Sequence, residues 1–463
     1  MSVTGAIRPA IATSTEHMEN LQIPQRIERL PLTSYQRLLG FIIIASWFFD
    51  CVDLGAMTFL LPVLGKEFQL SSVMMGTLAS MSFGGMLVGT ALAGLFSDRF
   101  GRKKVLQWAM LLWGAAGVLC GLSWDVTSLF CFRFLLGLGL GAELPVAHAM
   151  LPEFLPKNAR GRYVAIMEGL LPVGIIAAGI VSYFVLPLVG WRWVFVVQAV
   201  PAAWLFFVRR NIPESPRWLE TVGRKEEAHQ VMTQIEGLIE KRYGKPLPPV
   251  LDAILFEKET ERSAFVELWS KDYRKRTAML WIVWPACLFG YYGLTSWLGA
   301  LLVGKGFAVI KSITFVVTIT TGGIPGFLLA TYLIEKVGRK PVVIVATTMT
   351  AVSAYFYGNV ETLTLLYVWG FLMMFFTYAM WSSIYAYTPE LYPTRMRGTG
   401  CGLSSSIGRV GAIAGPYAIG WLLAMAGTSA VFSLAAAMFG LAALAVLVLG
   451  PETQGRILEE ISQ

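Results

Sequence analysis

Charge is scarce in this chain of 463 residues. Asp, Glu, Lys and Arg make up 14% of it, where a soluble domain usually carries about 25%. Histidine occurs three times, too few and too scattered to assemble a metal-ligand cluster. Cys51, Cys120, Cys131, Cys287 and Cys401 show no CxxC spacing, so they read as small apolar residues rather than as disulfides or metal ligands. No GxxxxGK[ST] loop is present, which excludes an ATP site of that kind. No nucleophile–base pair argues for an enzyme, and nothing calls for a cofactor or a metal. The net charge of +8 is no nucleic-acid signal, because the basic residues sit beside the ends of apolar runs.

What is present is apolar sequence. Hydrophobic residues make up 56%, and runs of about 20 residues, the length that crosses a bilayer, recur along the chain. They predict an all-α polytopic membrane protein with twelve spans, at 38–62, 72–97, 104–124, 127–151, 163–187, 191–209, 277–303, 310–334, 341–359, 362–388, 398–424 and 429–449. The expected divisions are a tail (1–37), a six-helix half (38–209), a polar central segment with short helices (210–276), a second six-helix half (277–449) and a second tail (450–463). No cleavable signal peptide is expected in the polar first tail. All but Lys66, Arg133, Arg192, Lys305, Lys311 and Arg409 of the 37 Lys and Arg fall in the tails, the central segment and alternate loops. That bias predicts that both tails are cytoplasmic.

The halves repeat one another. "DRFGRKK" at Asp98 and "EKVGRKP" at Glu335 lie 237 positions apart, as do "PEFLPKNARG" at Pro152 and "PELYPTRMRG" at Pro389. "PESPR" at Pro213 and "PETQGR" at Pro451 lie 238 apart. Parallel repeats of this kind place a substrate site between the halves, near mid-membrane.

These motifs, with "RGR" at 160–162, make the chain resemble the major facilitator superfamily. "RFLLGLGLGAELPVA", "PESPRWL" and "PETQGR" point to its sugar-porter and organic-ion branch. "WFFDCVDLGAMTF", "FGYYGLTSWL", "YAYTPELYPTRMRGTG" and "SSIGRVGAIAGP" resemble bacterial niacin transporters and, more distantly, synaptic vesicle glycoproteins and organic-ion carriers. The resemblance implies twelve helices, alternating access in the plasma (inner) membrane of a bacterium, and a small-molecule cargo. Sugar porters carry amide side chains on the seventh helix. Here that helix reads "WIVWPACLFGYYGLTSWLGALL", which offers a polyol few partners.

The charges inside the spans are the sharpest signals, because each costs roughly 2.5–3.5 kcal/mol to insert. Arg409 sits about a dozen residues into its helix, cannot shed its charge and needs an anion. A substrate carboxylate would fit it; an interhelical salt bridge is the alternative. Asp50 and Asp53 share a helix face, and two adjacent like charges out of water resist joint ionisation. They, with Glu143, are the candidate proton-coupling groups. Glu143 could equally pair with Arg133. Glu168 reads as interfacial, and His148 as a packed polar residue near a helix end.

Trp47, Phe49, Tyr291, Tyr292, Trp297, Trp381 and Tyr385 suit a flat aromatic substrate, and join Arg409 and Asp50 as candidate binding residues. Asp98, Arg99, Arg102, Glu153, Arg160, Glu335, Arg339, Glu390 and Arg397 are candidate gating residues, their acid–base pairs latching the halves together. The expected function is carriage of a small aromatic carboxylate, nicotinate first, as a monomer. Proton symport and facilitated diffusion both stay open. Another aromatic acid, nicotinamide, an organic cation, or a non-transporting binding protein remain alternatives.

Overall fold

A computed structural model describes residues 23–249 and 264–453. The outer parts of both expected tails, and 250–263 of the expected central segment, lie outside the described residues.

Ten long helices come first: α1 (Ser34–Glu67), α2 (Ser72–Phe100), α3 (Arg102–Gly121), α4 (Val126–Glu153), α5 (Ala159–Val189), α6 (Trp191–Asn211), α7 (Arg274–Gly304), α8 (Val309–Val337), α9 (Arg339–Asn359) and α10 (Leu363–Glu390). The run Thr394–Leu449 then breaks at Gly427, whose φ is 77°. It therefore supplies two helices, α11 (394–426) and α12 (428–449). The twelve helices form the major facilitator fold, and the described residues contain no strand.

Local chemistry sets the helix ends. Thr33 and Gln36 form a capping box at α1, and Asp125 accepts from Ser128 N at 2.7 Å at α4, each satisfying amides that a helix start leaves free. The repeats build one device twice. Gly101 and Gly338 turn the chain at φ 102° and 109°, a region that glycine enters without steric cost. Glu214 then accepts from the amides of Arg102 (3.0 Å) and Lys103 (3.1 Å) at the start of α3. Glu452 does the same for Arg339 N at α9 (3.2 Å). A carboxylate here also faces the positive end of the helix dipole.

Within each half, small residues bring helices together. Gly89 of α2 lies on the backbone of α4 at Leu138, and Gly326 of α8 lies on α10 at Phe375. Such close approach lets backbones pack without a hydrophobic driving force.

Between the halves, contact gathers at the end away from the tails. There Ser80 Oγ donates to the Ile413 carbonyl at 2.7 Å, the Phe83 and Tyr292 rings are 4.3 Å apart, and Gly299 of α7 lies on Thr58 of α1. Toward the tail end Gly169 of α5 lies against Phe327 of α8.

Candidate functional site

Two charged clusters occupy the interior. The first lies inside the first half. Asp53 and Arg133 meet at 3.7 Å, and the Arg133 guanidinium stands 5.7 Å from the centre of the Phe195 ring. Trp113 Nε1 donates to Glu143 Oε2 at 2.8 Å. Asp50 is 1% exposed, interacts electrostatically with Glu143 and Asp53, and has no hydrogen-bond partner on either carboxyl oxygen among the described residues. Of the three carboxyls, only Asp53 meets the guanidinium. Glu143 is bound to Trp113, not to Arg133.

The second cluster spans the two halves and centres on Arg409 of α11. Its side chain is buried, its Nε is unpartnered, and it makes no ion pair among the described residues. Tyr292 of α7 and Tyr385 of α10 lie within its electrostatic reach. Glycine makes room for it: Gly411 sets α11 directly on α7 at Pro285, and Gly408 lies beside Trp284. Facing Arg409 is a pair that the sequence had placed at the helix ends. His148 Nε2 lies 2.5 Å from Glu168 Oε1, and His148 Nδ1 donates to the Leu144 carbonyl at 2.8 Å. Glu168 is buried rather than interfacial, and Arg409 acts electrostatically on His148. The two residues are 20 apart on different helices, and no spacing rule within one helix links them.

An aromatic wall adjoins this cluster. Tyr291 and Tyr292 rings are 4.8 Å apart, Tyr291 and Trp381 5.6 Å, and Trp381 and Tyr385 5.8 Å. Trp284 completes the wall at 5.5 Å from Tyr385. Tyr385 is 37% exposed although it lies between the halves, so the wall is open toward the tail end. Trp47 stands edge-on to His148 at 5.5 Å. Apart from the tilted Trp381–Tyr385 pair, these contacts are edge-to-face, an arrangement aromatic quadrupoles favour.

Two expected aromatic residues are elsewhere. Phe49 packs on Phe48 and Trp204, away from Arg409. Trp297 donates to the Pro416 carbonyl at 3.0 Å in the closed end. Asp50 does not join Arg409 either, since its charged neighbours are the acids of the first half.

The candidate gating residues pair within their own halves. Arg102 meets Glu153, and Arg339 Nε reaches both oxygens of Glu390 at 3.0 Å. Both partners are displaced by 237 positions. Glu335 pairs with Arg339 at 3.3 Å. Arg160 does not meet Glu153: it binds Glu28 at 2.7 Å and donates to the Pro152 and Leu155 carbonyls. Arg397 likewise donates to the Tyr392 carbonyl at 3.4 Å. The Asp98 carbonyl accepts from Trp218 at 2.9 Å, and Arg99 lies over Phe100. In this conformation the two PE…RG loops brace each half rather than latch one half to the other.

The profile of the family described as "Sugar (and other) transporter" matches residues 30–463. The chain belongs to that family. It is therefore a multi-pass membrane transporter with a small-molecule substrate, and not an enzyme. It is 36% identical over 444 residues to the Niacin transporter NiaP of Acinetobacter baylyi, covering 95% of this chain and 100% of the relative. It is 35% identical over 430 residues to the Putative niacin/nicotinamide transporter NiaP of Bacillus subtilis, covering 92% and 98%. The partially occluded inward-open structure of the xylose transporter XylE from E. coli superposes with a TM-score of 0.74 at 19% identity, over 92% of this chain and 100% of that one. That likeness concerns the fold.

Proposed function

We propose that this family member carries nicotinate, or a small aromatic monocarboxylate close to it, across the inner membrane by alternating access. The observation that carries the reading is Arg409: a buried guanidinium between the halves that makes no ion pair among the described residues, beside a wall of tyrosine and tryptophan. A guanidinium holds a carboxylate through two parallel N–H donors, and the rings cover a flat heterocycle. The two relatives whose names mention niacin support the same cargo.

The tail end is the cytoplasmic end in this reading, supported by the Lys and Arg bias. With the halves joined at the far end, the conformation faces inward. The monomer suffices, because the duplicated halves supply both walls of the site.

The test is uptake of radiolabelled nicotinate into proteoliposomes, with benzoate and nicotinamide as competitors. Saturable uptake that benzoate inhibits better than nicotinamide, and that Arg409→Ala abolishes, is the expected result. Inhibition by nicotinamide alone would discard the carboxylate as the recognised group.

A further inference from the structure

We propose that the His148–Glu168 pair is the proton site of this carrier, taking up a proton when an anion settles on Arg409 and releasing it when the anion leaves. This rests on the carboxylate reading above and adds the coupling ion and its residues.

The hydrogen bonds leave the pair little choice. The Leu144 carbonyl can only accept, so His148 Nδ1 keeps its proton at 2.8 Å. One exchangeable proton then remains to be shared along the 2.5 Å line between Nε2 and Glu168 Oε1. With that proton the pair is neutral overall; without it the pair carries one negative charge.

The groups facing the pair are few. Cys51 from α1, Tyr292 from α7 and Tyr385 from α10 interact electrostatically with Glu168. Arg409 from α11 acts on His148. By residue type only Arg409 carries a formal charge at neutral pH. The edge-on Trp47 ring covers one side of His148 without adding charge.

The balance follows. In the empty carrier, the Arg409 charge is offset by the pair without its proton. A bound carboxylate neutralises Arg409 and removes the positive charge that opposed protonation, so the pair binds a proton from the open side. Empty and loaded, the site sums to the same net charge. The binding free energies of anion and proton are therefore coupled in both directions. The sequence expectation placed the proton on Asp50, Asp53 or Glu143, but Asp53 meets Arg133 and Glu143 accepts from Trp113 inside one half, and the charged neighbours of Asp50 are those two acids.

The experiment is calorimetry of nicotinate binding to the full chain in detergent, in buffers of different ionisation enthalpy, whose slope counts protons taken up per ligand. The wild type should take up about one proton with each nicotinate. Glu168→Gln and His148→Gln should each bind nicotinate with that uptake lost, while Asp50→Asn keeps it. In proteoliposomes the same two variants should lose stimulation by an inward proton gradient yet retain nicotinate counterflow, and either variant suffices if the other fails to fold. A wild type that binds nicotinate without a proton overturns the assignment, as does uptake that survives in both variants or vanishes in Asp50→Asn alone. Loss of all binding in folded variants would make the pair part of the anion site and overturn it too. A wild type that binds no nicotinate is a separate result, which removes the functional reading and this assignment with it.

Discussion

Arg133 and Asp53 face each other at 3.7 Å in the first half, their side chains 3% and 5% exposed. The separation allows attraction but is too long for a hydrogen bond, and Arg133 Nε and Nη1 find no other hydrogen-bond partner among the described residues. Each charge depends on the other. Removing one member of a buried pair typically costs about 3–5 kcal/mol, whereas replacing both with apolar residues is often neutral. Arg133→Met should therefore lower the melting temperature sharply in detergent, and Arg133→Met with Asp53→Leu should recover most of the loss. A double variant no more stable than the single one would show that Asp53 has another charge partner.

Arg409 should be irreplaceable by another cation. Lysine keeps the charge but loses the planar fork that meets a carboxylate with two bonds. A charged hydrogen bond contributes about 1.5–3 kcal/mol, so Arg409→Lys should weaken nicotinate binding by about 10- to 100-fold. Arg409→Gln should weaken it further, and calorimetry reads both. Equal affinity of Arg409→Lys and wild type would mean that Arg409 acts as a distant charge only.

Tyr385 is the open face of the aromatic wall. If its ring covers the substrate, Tyr385→Phe should leave KM for nicotinate within about twofold. Tyr385→Ala should raise it about tenfold, since an aromatic pair contributes about 0.5–1.5 kcal/mol beyond the area it buries. A loss in Tyr385→Phe as large as in Tyr385→Ala would assign the role to the hydroxyl instead.

The duplication was legible because backbone devices follow short local patterns. The 237-residue offset brought back the positive-φ glycines 101 and 338 and the Arg102–Glu153 and Arg339–Glu390 pairs. Arg409 was legible too, as a permanent charge in the middle of an apolar run. Partner choice was not. Helical spacing says which residues share a face, and it put Asp50 and Asp53 together, but it does not say which helix crosses opposite. The α1–α4 crossing gives Asp53 to Arg133, and the α4–α5 crossing buries Glu168 against His148. Trp297 was misplaced for a related reason. Its helix lines the site at Tyr292 and, about one turn further on, enters the closed end.

The closed end is the place to test the alternating motion. Gly299 of α7 rests on the Thr58 carbonyl, so any Cβ there would collide with α1. If α1 and α7 part when the carrier opens at this end, a bulky residue penalises only the conformation in which they meet. Overpacking costs about 1–3 kcal/mol, and a penalty confined to one state shifts the populations by about tenfold for each 1.4 kcal/mol. Gly299→Phe should therefore deplete the conformation that is open at the tail end. The readout is a cysteine at position 385 in a cysteine-free background, labelled from the tail side with a membrane-impermeant maleimide. Labelling should slow by about tenfold in the Gly299→Phe background, because the tail end is then closed for most of the time. Nicotinate counterflow should fall in parallel, since exchange needs the site to open to both sides. Unchanged labelling would mean that α1 and α7 stay together at Gly299 throughout the cycle, and that the opening toward the far side lies between other helices.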